Sequence, residues 1–204
     1  MYKHIVFDFG GVFLSLKNPH TKTLDTLAKA LDVEVVKIMP LWYKHRNEVV
    51  TDQVSTSEFV GHVISTLQIE RDVKRAHGRW ARNYRSRKSQ INWGLVSYSK
   101  KLRKKYAVHM LSDTIGIGVS TMWEKELLRN FDVILRSHEQ GVKKPDKEAF
   151  LNMLKKIGAR PNECIFVDDM QENVDAAKRL GITAVRFTTL AKLKDDLARL
   201  GIAL

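Results

Sequence analysis

HIVFDFGGV, the segment His4–Val12, joins a short apolar run to one carboxylate, Asp8, and then to two glycines. In open α/β sheets ligands bind at the carboxyl ends of the strands, and glycine lets a ligand approach the backbone closely. Asp8 therefore occupies a position where such a sheet presents a functional group. Taken alone, the segment favours a solvated aspartate at a strand end before a turn. Residues far downstream are needed to distinguish this interpretation from a functional carboxylate.

Two periodicities follow this segment. Up to about residue 84 apolar residues recur at helical spacing, and Ser55 with Glu58 forms a capping box that predicts a helix start at Thr56. From Asn92 onward helical stretches alternate with short apolar strands, as in a parallel sheet covered by helices. Strands are predicted at residues 5–7, 107–111, 133–135, 164–167 and 184–187. Helices are predicted at residues 21–31, 34–43, 56–67, 72–84, 95–106, 124–129, 147–157, 171–180 and 190–200, with Pro40 expected to kink the second or shift its start.

The composition of the 204 residues is that of an ordinary soluble protein, with 44% hydrophobic and 28% charged residues. No apolar run approaches the roughly 20 residues that span a bilayer. Asp8 interrupts the apolar run near the amino terminus, so we expect no signal peptide. The one cysteine, Cys164, excludes an internal disulfide and suits a reducing compartment, so we expect a cytoplasmic protein without membrane association.

The net charge of +12 is concentrated in one part of the chain. Residues 73–106 contain 12 lysines and arginines and no aspartate or glutamate. Such a run can contact nucleic acid phosphates, attract a small anionic substrate, or form the solvated face of two helices. All three interpretations stay open at this point.

Polar residues follow three of the later strands. Ser112 and Asp113 come after the second predicted strand, Lys144 precedes a proline in a loop, and the pair Asp168–Asp169 comes after the fourth strand. Together with Asp8, these residues should meet at one edge of the sheet. Carboxylates crowded there would raise one another's pKa values unless a cation is shared between them. Mg²⁺ is suited to that role, because it binds one or two carboxylates together with phosphate oxygens and water.

In order, spacing and chemistry, the motifs at Asp8, Ser112, Lys144 and Asp168–Asp169 resemble those of the haloacid dehalogenase superfamily. Each motif is weak alone, but four in the right order are a strong signal. The resemblance covers essentially the whole chain and implies an α/β fold. It places a Rossmann-like parallel sheet core, with helices on both faces, at residues 1–13 and 91–204, and an inserted helical-bundle cap at residues 14–90. The chain most resembles helical-cap sugar-phosphate phosphatases whose first motif reads Asp-x-Gly.

This resemblance implies a phosphatase that hydrolyses a small phosphomonoester, such as a sugar phosphate or a nucleotide. Asp8 would attack phosphorus and form an aspartyl-phosphate, and Ser112 and Lys144 would complete the catalytic set. Gly10 and Asp113 would join Ser112 and Lys144 in binding the phosphate. The partner implied is therefore a small anionic, phosphorylated substrate, with nucleic acid ranked below it.

The resemblance also implies a Mg²⁺ site. Its ligands would be Asp8, the backbone carbonyl of Gly10 and Asp169, with Asp168 helping directly or through water. Asn173 would orient the loop that carries the acidic pair. A 2-haloacid dehalogenase, which needs no metal, ranks lower because two adjacent carboxylates suit a cation better than a halide.

Gly10 departs from the family pattern. Phosphatases of this family usually carry a second aspartate two residues after the nucleophile, which acts as general acid and then as general base. Its absence leaves the metal site intact but removes a proton shuttle worth roughly 10²- to 10⁴-fold in rate. A residue of the cap or Asp113 would have to replace it. The alternative is a catalytically weakened binding or regulatory module with a basic surface.

Substrate specificity in such an architecture is expected from cap side chains. The candidates to line the pocket are aromatic or cationic, namely Trp42, Tyr43, His45, Arg46, Arg79 and Trp80. The same residues fit a cap core with solvated basic edges, so the sequence leaves both interpretations open.

Overall fold

In a computed structural model, which describes residues 1–14, 19–86, 91–117 and 126–202 and only the backbone of residues 19–22, the sheet has five parallel strands. Their spatial order is β3-β2-β1-β4-β5. The strands are β1 (His4–Phe7), β2 (Ala107–Ser112), β3 (Val133–Arg136), β4 (Cys164–Asp168) and β5 (Thr183–Arg186). The predicted α/β class with a parallel sheet is confirmed.

Nine helices and one 3₁₀ turn at Pro161–Glu163 are defined within the described residues. Four helices stand between β1 and β2, namely α1 (Pro19–Leu31), α2 (Val35–Val50), α3 (Thr56–Thr66) and α4 (Val73–Arg85). The remaining helices are α5 (Trp93–Leu102), α6 (Ser137–Gln140), α7 (Lys147–Ile157), α8 (Gln171–Arg179) and α9 (Leu190–Arg199). The predicted helix at residues 124–129 begins outside the described residues.

The helix ends follow local capping, and α2 and α5 differ most from their predicted bounds. α5 ends at Leu102 and not at the predicted Tyr106, because residues 103–105 form a turn before β2. The Ser55 hydroxyl accepts from the Glu58 amide and Glu58 accepts from the Ser55 amide, so the capping box at α3 is confirmed. α2 passes through Pro40 and continues to Val50, seven residues beyond the predicted end. Burial of Trp42 and Val49 on one helical stripe explains this extension, because tertiary packing overrides the local effect of proline. α5 starts two residues earlier than predicted because the Asn92 side chain caps the Leu95 amide at 3.1 Å.

Helices cover both faces of the sheet, as predicted. Ile5 and Phe7 point to one face and pack with residues of α5 and α9, whereas Val6 points to the other and packs with residues of α7 and α8. The alternation follows from the period of two along a strand. Because apolar layers enclose β1 on both faces and it pairs with β2 and β4, the strand is fixed in the centre of the sheet.

The four helices α1 to α4 share a hydrophobic core of their own. Leu27, Trp42, Phe59 and Trp80 are among its buried members. Ile115, in the segment after β2, also packs into this cluster. The packing supports an inserted helical unit, while the division at residues 14 and 90 stays a prediction, since residues 15–18 and 87–90 lie outside the described residues.

Two histidines face each other across the β1–β2 pair. His4 Nδ1 lies 3.1 Å from His109 Nε2, and their rings stack with centroids 5.3 Å apart. Among the described residues, no partner reaches the buried Nδ1 of His109. Burial, and next the neighbouring His4, lowers the pKa of His109 to about 4.

None of the helices within the described ranges has both the length and the apolar character needed to cross a bilayer.

Candidate active site

The strand register brings the predicted residues to one edge of the sheet. Phe7 lies between Met110 of β2 and Val167 of β4. The next residue, Asp8, therefore stands beside the end of β4, and its amide donates to the Val167 carbonyl at 2.8 Å. Ser112 and Asp168 are the last residues of β2 and β4, so the carboxyl ends of three adjacent strands meet at one level.

Lys144 lies between two of these carboxylates. Its Nζ is 2.5 Å from Asp8 Oδ1 and 2.7 Å from Asp168 Oδ2, and its side chain is almost completely buried. Burial by itself lowers the pKa of the ammonium, but the charges of Asp8 and Asp168 outweigh burial and raise it. Lys144 therefore keeps its proton at neutral pH. Its backbone amide donates to Asp113 Oδ1 at 3.1 Å, which fixes the loop that carries it.

Asp168 already has several hydrogen-bond donors around it. Oδ1 accepts from the Met170 amide at 2.9 Å, and Asn173 Nδ2 lies 3.1 and 3.0 Å from the two carboxylate oxygens. With Lys144 on Oδ2, both oxygens are engaged. Asp168 thus accepts from Lys144 and from the start of α8, and Asn173 contacts both of its carboxylate oxygens. The orienting role of Asn173 stays a prediction.

Asp169 lies against Gly11. The φ angle of Gly11 is +85°, and a Cβ built on it would lie 2.2 Å from Asp169 Oδ2. Any other residue at position 11 would therefore displace the Asp169 carboxylate as well as strain the backbone. From the sequence, Gly11 was interpreted only as a residue that lets a substrate approach the backbone, and this contact was not predicted. The pair of consecutive glycines was the one sign in the sequence that a side chain is excluded here.

Asp8, Asp168 and Asp169 form the one cluster of potential metal ligands found among the described residues. One oxygen from each lies within 4.8 Å of the others. Burial raises the pKa of Asp8 well above its usual range, which Lys144 opposes and Asp168 reinforces. Burial, and next Asp168, raises the pKa of Asp169 as well. An all-oxygen set with more carboxylates than cations fits a hard divalent cation such as Mg²⁺.

Gly10 leaves open space at the position of the usual second aspartate. A Cβ built on Gly10 meets no atom within 4 Å, and the residue lines a cavity of about 150 Å³. Ser112 and Asp113 line the same cavity. Burial raises the pKa of the Asp113 carboxyl, against the opposing charge of Lys144. The structure therefore brings together all the sequence-predicted residues of the sheet edge.

The predicted lining residues of the helical unit divide into two groups. Trp42 and Arg46 line the cavity, which extends from Asp8 to α1, α2 and α4. Four others do not line it: Tyr43 is exposed, His45 bonds Glu48, Arg79 pairs with Asp32, and Trp80 is buried and donates to Thr26. Sequence reasoning missed the lining residues Thr23, Tyr84, Ile115 and Ile117, because no short motif marks them.

A family model described as haloacid dehalogenase-like hydrolase matches residues 2–181. The chain belongs to this family. Among curated relatives of this haloacid dehalogenase-like chain, D-ribitol-5-phosphate phosphatase from Bacteroides thetaiotaomicron is 26% identical over 190 residues, which cover 89% of each chain. The predicted family is thereby confirmed, and with it a hydrolase.

Solved structures of the haloacid dehalogenase-like family share the fold of this chain. A predicted hydrolase of the family from Porphyromonas gingivalis superposes with a TM-score of 0.77 at 22% identity and covers 100% of both chains. A family enzyme from Bacteroides thetaiotaomicron, in complex with magnesium and inorganic phosphate, has a TM-score of 0.69 at 20% identity and covers 95% of this chain and 99% of that one.

Proposed function

We propose that the chain is a Mg²⁺-dependent phosphatase that hydrolyses a small phosphomonoester through an aspartyl-phosphate on Asp8. The observation that carries the proposal is the cluster of Asp8, Asp168 and Asp169, in which the buried Lys144 pairs with Asp8 and Asp168 and leaves Asp169 beside them. A halide-binding dehalogenase site would leave this excess of carboxylates without a counter-charge. The phosphatase relative and the family structure that holds magnesium and phosphate support the same function.

Three groups would hold the Mg²⁺ ion. Asp8, Asp169 and the backbone carbonyl of Gly10 are the proposed ligands. Asp168 would act through water, because both its oxygens already accept hydrogen bonds from the protein. When bound, the ion supplies positive charge that offsets the charge of the phosphoryl group.

Asp8 is the nucleophile in this proposal. A carboxylate oxygen of Asp8 forms a bond to phosphorus while the bond from phosphorus to the ester oxygen breaks. Lys144 orients Asp8 through the 2.5 Å contact and offers its remaining N–H to the phosphate, to which the Ser112 hydroxyl also donates. Water then attacks the aspartyl-phosphate, which releases inorganic phosphate and restores Asp8.

The departing alcohol needs a proton, and we assign its delivery to Asp113. Among the described residues that line the cavity, Asp113 is the carboxylic acid outside the cluster of Asp8, Asp168 and Asp169. One of its oxygens accepts from the Lys144 amide, which leaves the other to carry the proton. The same group can receive a proton from the attacking water in the second step.

Hydrolysis of a panel of phosphomonoesters, with Mg²⁺ or EDTA, tests this function. We expect activity that EDTA abolishes and that Asp8→Asn reduces to background. Asp195→Asn, which changes an exposed aspartate of α9, is the matched control and should retain full activity. Activity that survives both EDTA and Asp8→Asn contradicts the mechanism. Inactivity on every phosphomonoester, together with salt-sensitive binding of random oligonucleotides, would favour the binding-module alternative.

A further inference from the structure

The helical side of the cavity carries a buried hydrogen-bond donor without an acceptor. Trp42 and Val50 of α2 line the cavity two helical turns apart. The Trp42 side chain is only 3% exposed, and in the described parts of the chain no acceptor lies within hydrogen-bond distance of its Nε1–H. A buried N–H of this kind is costly unless it is satisfied, and a ligand bound against the Trp42 side chain in the cavity would offer it an acceptor.

Arg46 lies one helical turn from Trp42 and lines the same cavity. Within the described ranges its guanidinium has no hydrogen bond and no ion pair, whereas Arg136, which also lines the cavity, pairs with Glu139 at 2.7 Å. Burial raises the pKa of the Asp113 carboxyl, which lines the same cavity, and the charge of Arg46 helps to oppose this rise. A half-buried guanidinium that faces a cavity is well suited to a carboxylate or a phosphate.

The rest of this wall is mainly apolar. Val50, Ile115 and Ile117 provide hydrocarbon surface next to Arg46 and Trp42. No aspartate or glutamate among the described lining residues belongs to the helical side, since all four lining carboxylates follow or end strands of the sheet. The cavity is therefore acidic at the sheet edge and positively charged at α2. A ligand that spans it meets a cation-dependent phosphate site at one end and donors at the other.

We propose that Arg46 and Trp42 form a second anion-binding point that selects phosphomonoesters with a carboxylate or a second phosphate at the end away from the transferred phosphoryl group. The inference rests on the proposed phosphatase function and narrows its substrate class. The proposal excludes neutral polyol phosphates as preferred substrates, because a hydroxyl at the far end of the substrate brings no negative charge to the Arg46 guanidinium.

The test compares substrates that differ only at the far end. 3-Phosphoglycerate and glycerol 3-phosphate share a carbon skeleton and differ by a carboxylate, while 1,3-propanediol bisphosphate and propyl phosphate differ by the second phosphate. We expect kcat/KM to be roughly 10- to 100-fold higher for at least one anionic member than for its neutral partner, as for a charge-assisted hydrogen bond. The two pairs distinguish a carboxylate from a phosphate as the preferred group.

Variants of α2 connect this preference to the two residues. Arg46→Gln should bring the ratio of anionic to neutral kcat/KM close to one, Arg46→Lys should restore part of it, and Trp42→Phe should lower it roughly 3- to 10-fold. Arg82→Gln, at an exposed position of α4, is the charge-matched control and should leave the ratio unchanged. In the Asp8→Asn background, Arg46→Gln should weaken calorimetric binding of the preferred anionic substrate by a similar factor without any turnover.

Failure of this inference differs from failure of the proposed function. If the protein hydrolyses p-nitrophenyl phosphate but prefers neutral esters, or if Arg46→Gln and Arg46→Lys both keep the wild-type ratio, the second anion-binding point is wrong and the phosphatase stands. If neither p-nitrophenyl phosphate nor any other ester is hydrolysed, and the Asp8→Asn protein binds no phosphorylated ligand, both proposals fail together.

Discussion

At the scale of single residues, the two consecutive glycines have separate functions. Gly11 adopts a left-handed backbone and leaves room for the Asp169 carboxylate, whereas Gly10 leaves open space beside Asp8. Gly11 thus allows the Asp169 carboxylate to occupy its place in the proposed metal site, whereas Gly10 leaves that site without the side chain of the usual second aspartate. The sequence predicted Asp8, Ser112, Lys144 and Asp168–Asp169 because strand ends and motif order mark them. It did not predict the contact with Gly11, since residues so far apart in sequence meet only in the folded chain.

Gly11→Ala should greatly weaken Mg²⁺ binding. The added Cβ would push the Asp169 carboxylate away, and the left-handed backbone adds about 1–2 kcal/mol of strain. Gly141→Ala is the matched control, because Gly141 has a φ of +70° but a Cβ added there would meet no atom within 4 Å. We expect calorimetric titration to show unchanged Mg²⁺ affinity for Gly141→Ala and a loss for Gly11→Ala. Equal affinities in the two variants would contradict the steric argument.

Asp113→Asn should slow the transfer of the phosphoryl group to Asp8 only for those esters that need a proton on the leaving group. The amide oxygen can still accept from the Lys144 backbone, so the loop geometry is retained. We expect a roughly 10²- to 10⁴-fold fall in kcat/KM, which reports this first step and not the later attack of water, for an alkyl phosphate such as glycerol 3-phosphate. The fall should be much smaller for p-nitrophenyl phosphate, whose leaving group is a good one.

Gly10→Asp should recover the alkyl activity of the Asp113→Asn variant. A Cβ fits at position 10 without contact, so the new carboxyl can enter the open space beside Asp8. The test compares the rates of Asp113→Asn and of the double variant Gly10→Asp/Asp113→Asn on the alkyl ester and on p-nitrophenyl phosphate. An Asp113→Asn enzyme that loses the same factor in kcat/KM on both esters is inconsistent with proton delivery from Asp113 to the leaving group.

At the scale of elements, most bounds followed from local signals. The capping box at Ser55 and the left-handed Gly158 after α7 begin and end helices where the sequence predicts it. α2 differed, since burial of Trp42, Val49 and Val50 extends it through a proline. That extension has a functional consequence, because it places Arg46 and Val50 within a helix and on the cavity wall.

The pairing of β1 with β2 should weaken in mild acid. The pKa of His109 is lowered to about 4 by burial, whereas an unfolded chain binds the proton near 6.5. The unfolded state therefore binds more protons between these values, and stability falls as pH decreases from about 7.5 towards 4. For this single group the loss is about 2 kcal/mol at pH 5.

Urea unfolding at pH 7.5, 6 and 5 measures this loss. His109→Gln should reduce the difference in unfolding free energy between pH 7.5 and pH 5, whatever its effect on stability at pH 7.5. His62→Gln, which removes a histidine of α3 outside the sheet, should keep the wild-type dependence. A His109→Gln protein with the same slope as the wild type would show that other groups cause the acid sensitivity.

At the scale of the whole molecule, the class of fold was predictable and the shape of the cavity was not. Alternation of helices and apolar strands determines a parallel sheet with covered faces, and the carboxyl ends of its strands determine where motifs meet. The cavity wall depends instead on how α1, α2 and α4 pack over that edge. Ile115 and Ile117 show the difficulty, because they follow a strand of the sheet yet pack with the helical unit.

Mg²⁺ should stabilise the whole chain against unfolding. Its proposed ligands come from the loop after β1 and from the residue after β4, so only the folded state holds them together. At 100 times its dissociation constant the ion contributes about 2.7 kcal/mol, which raises Tm by roughly 5–10 °C for a chain of this size. Thermal scans with Mg²⁺ and with EDTA should show this shift in the wild type and in Asp195→Asn, but little of it in Asp169→Asn. A similar shift in Asp169→Asn would place the ion elsewhere.

The central position of β1 also determines the order in which the chain can fold during synthesis. His4 pairs with Ala107 and Cys164, which leave the ribosome 103 and 160 residues later. The helices α1 to α4 are translated between β1 and β2, and their core can pack first because its contacts lie closer together in the sequence. Until β2 and β4 emerge, the apolar β1 has no strand to pair with. We therefore expect the chain to be most prone to aggregation during synthesis, before these two strands are translated.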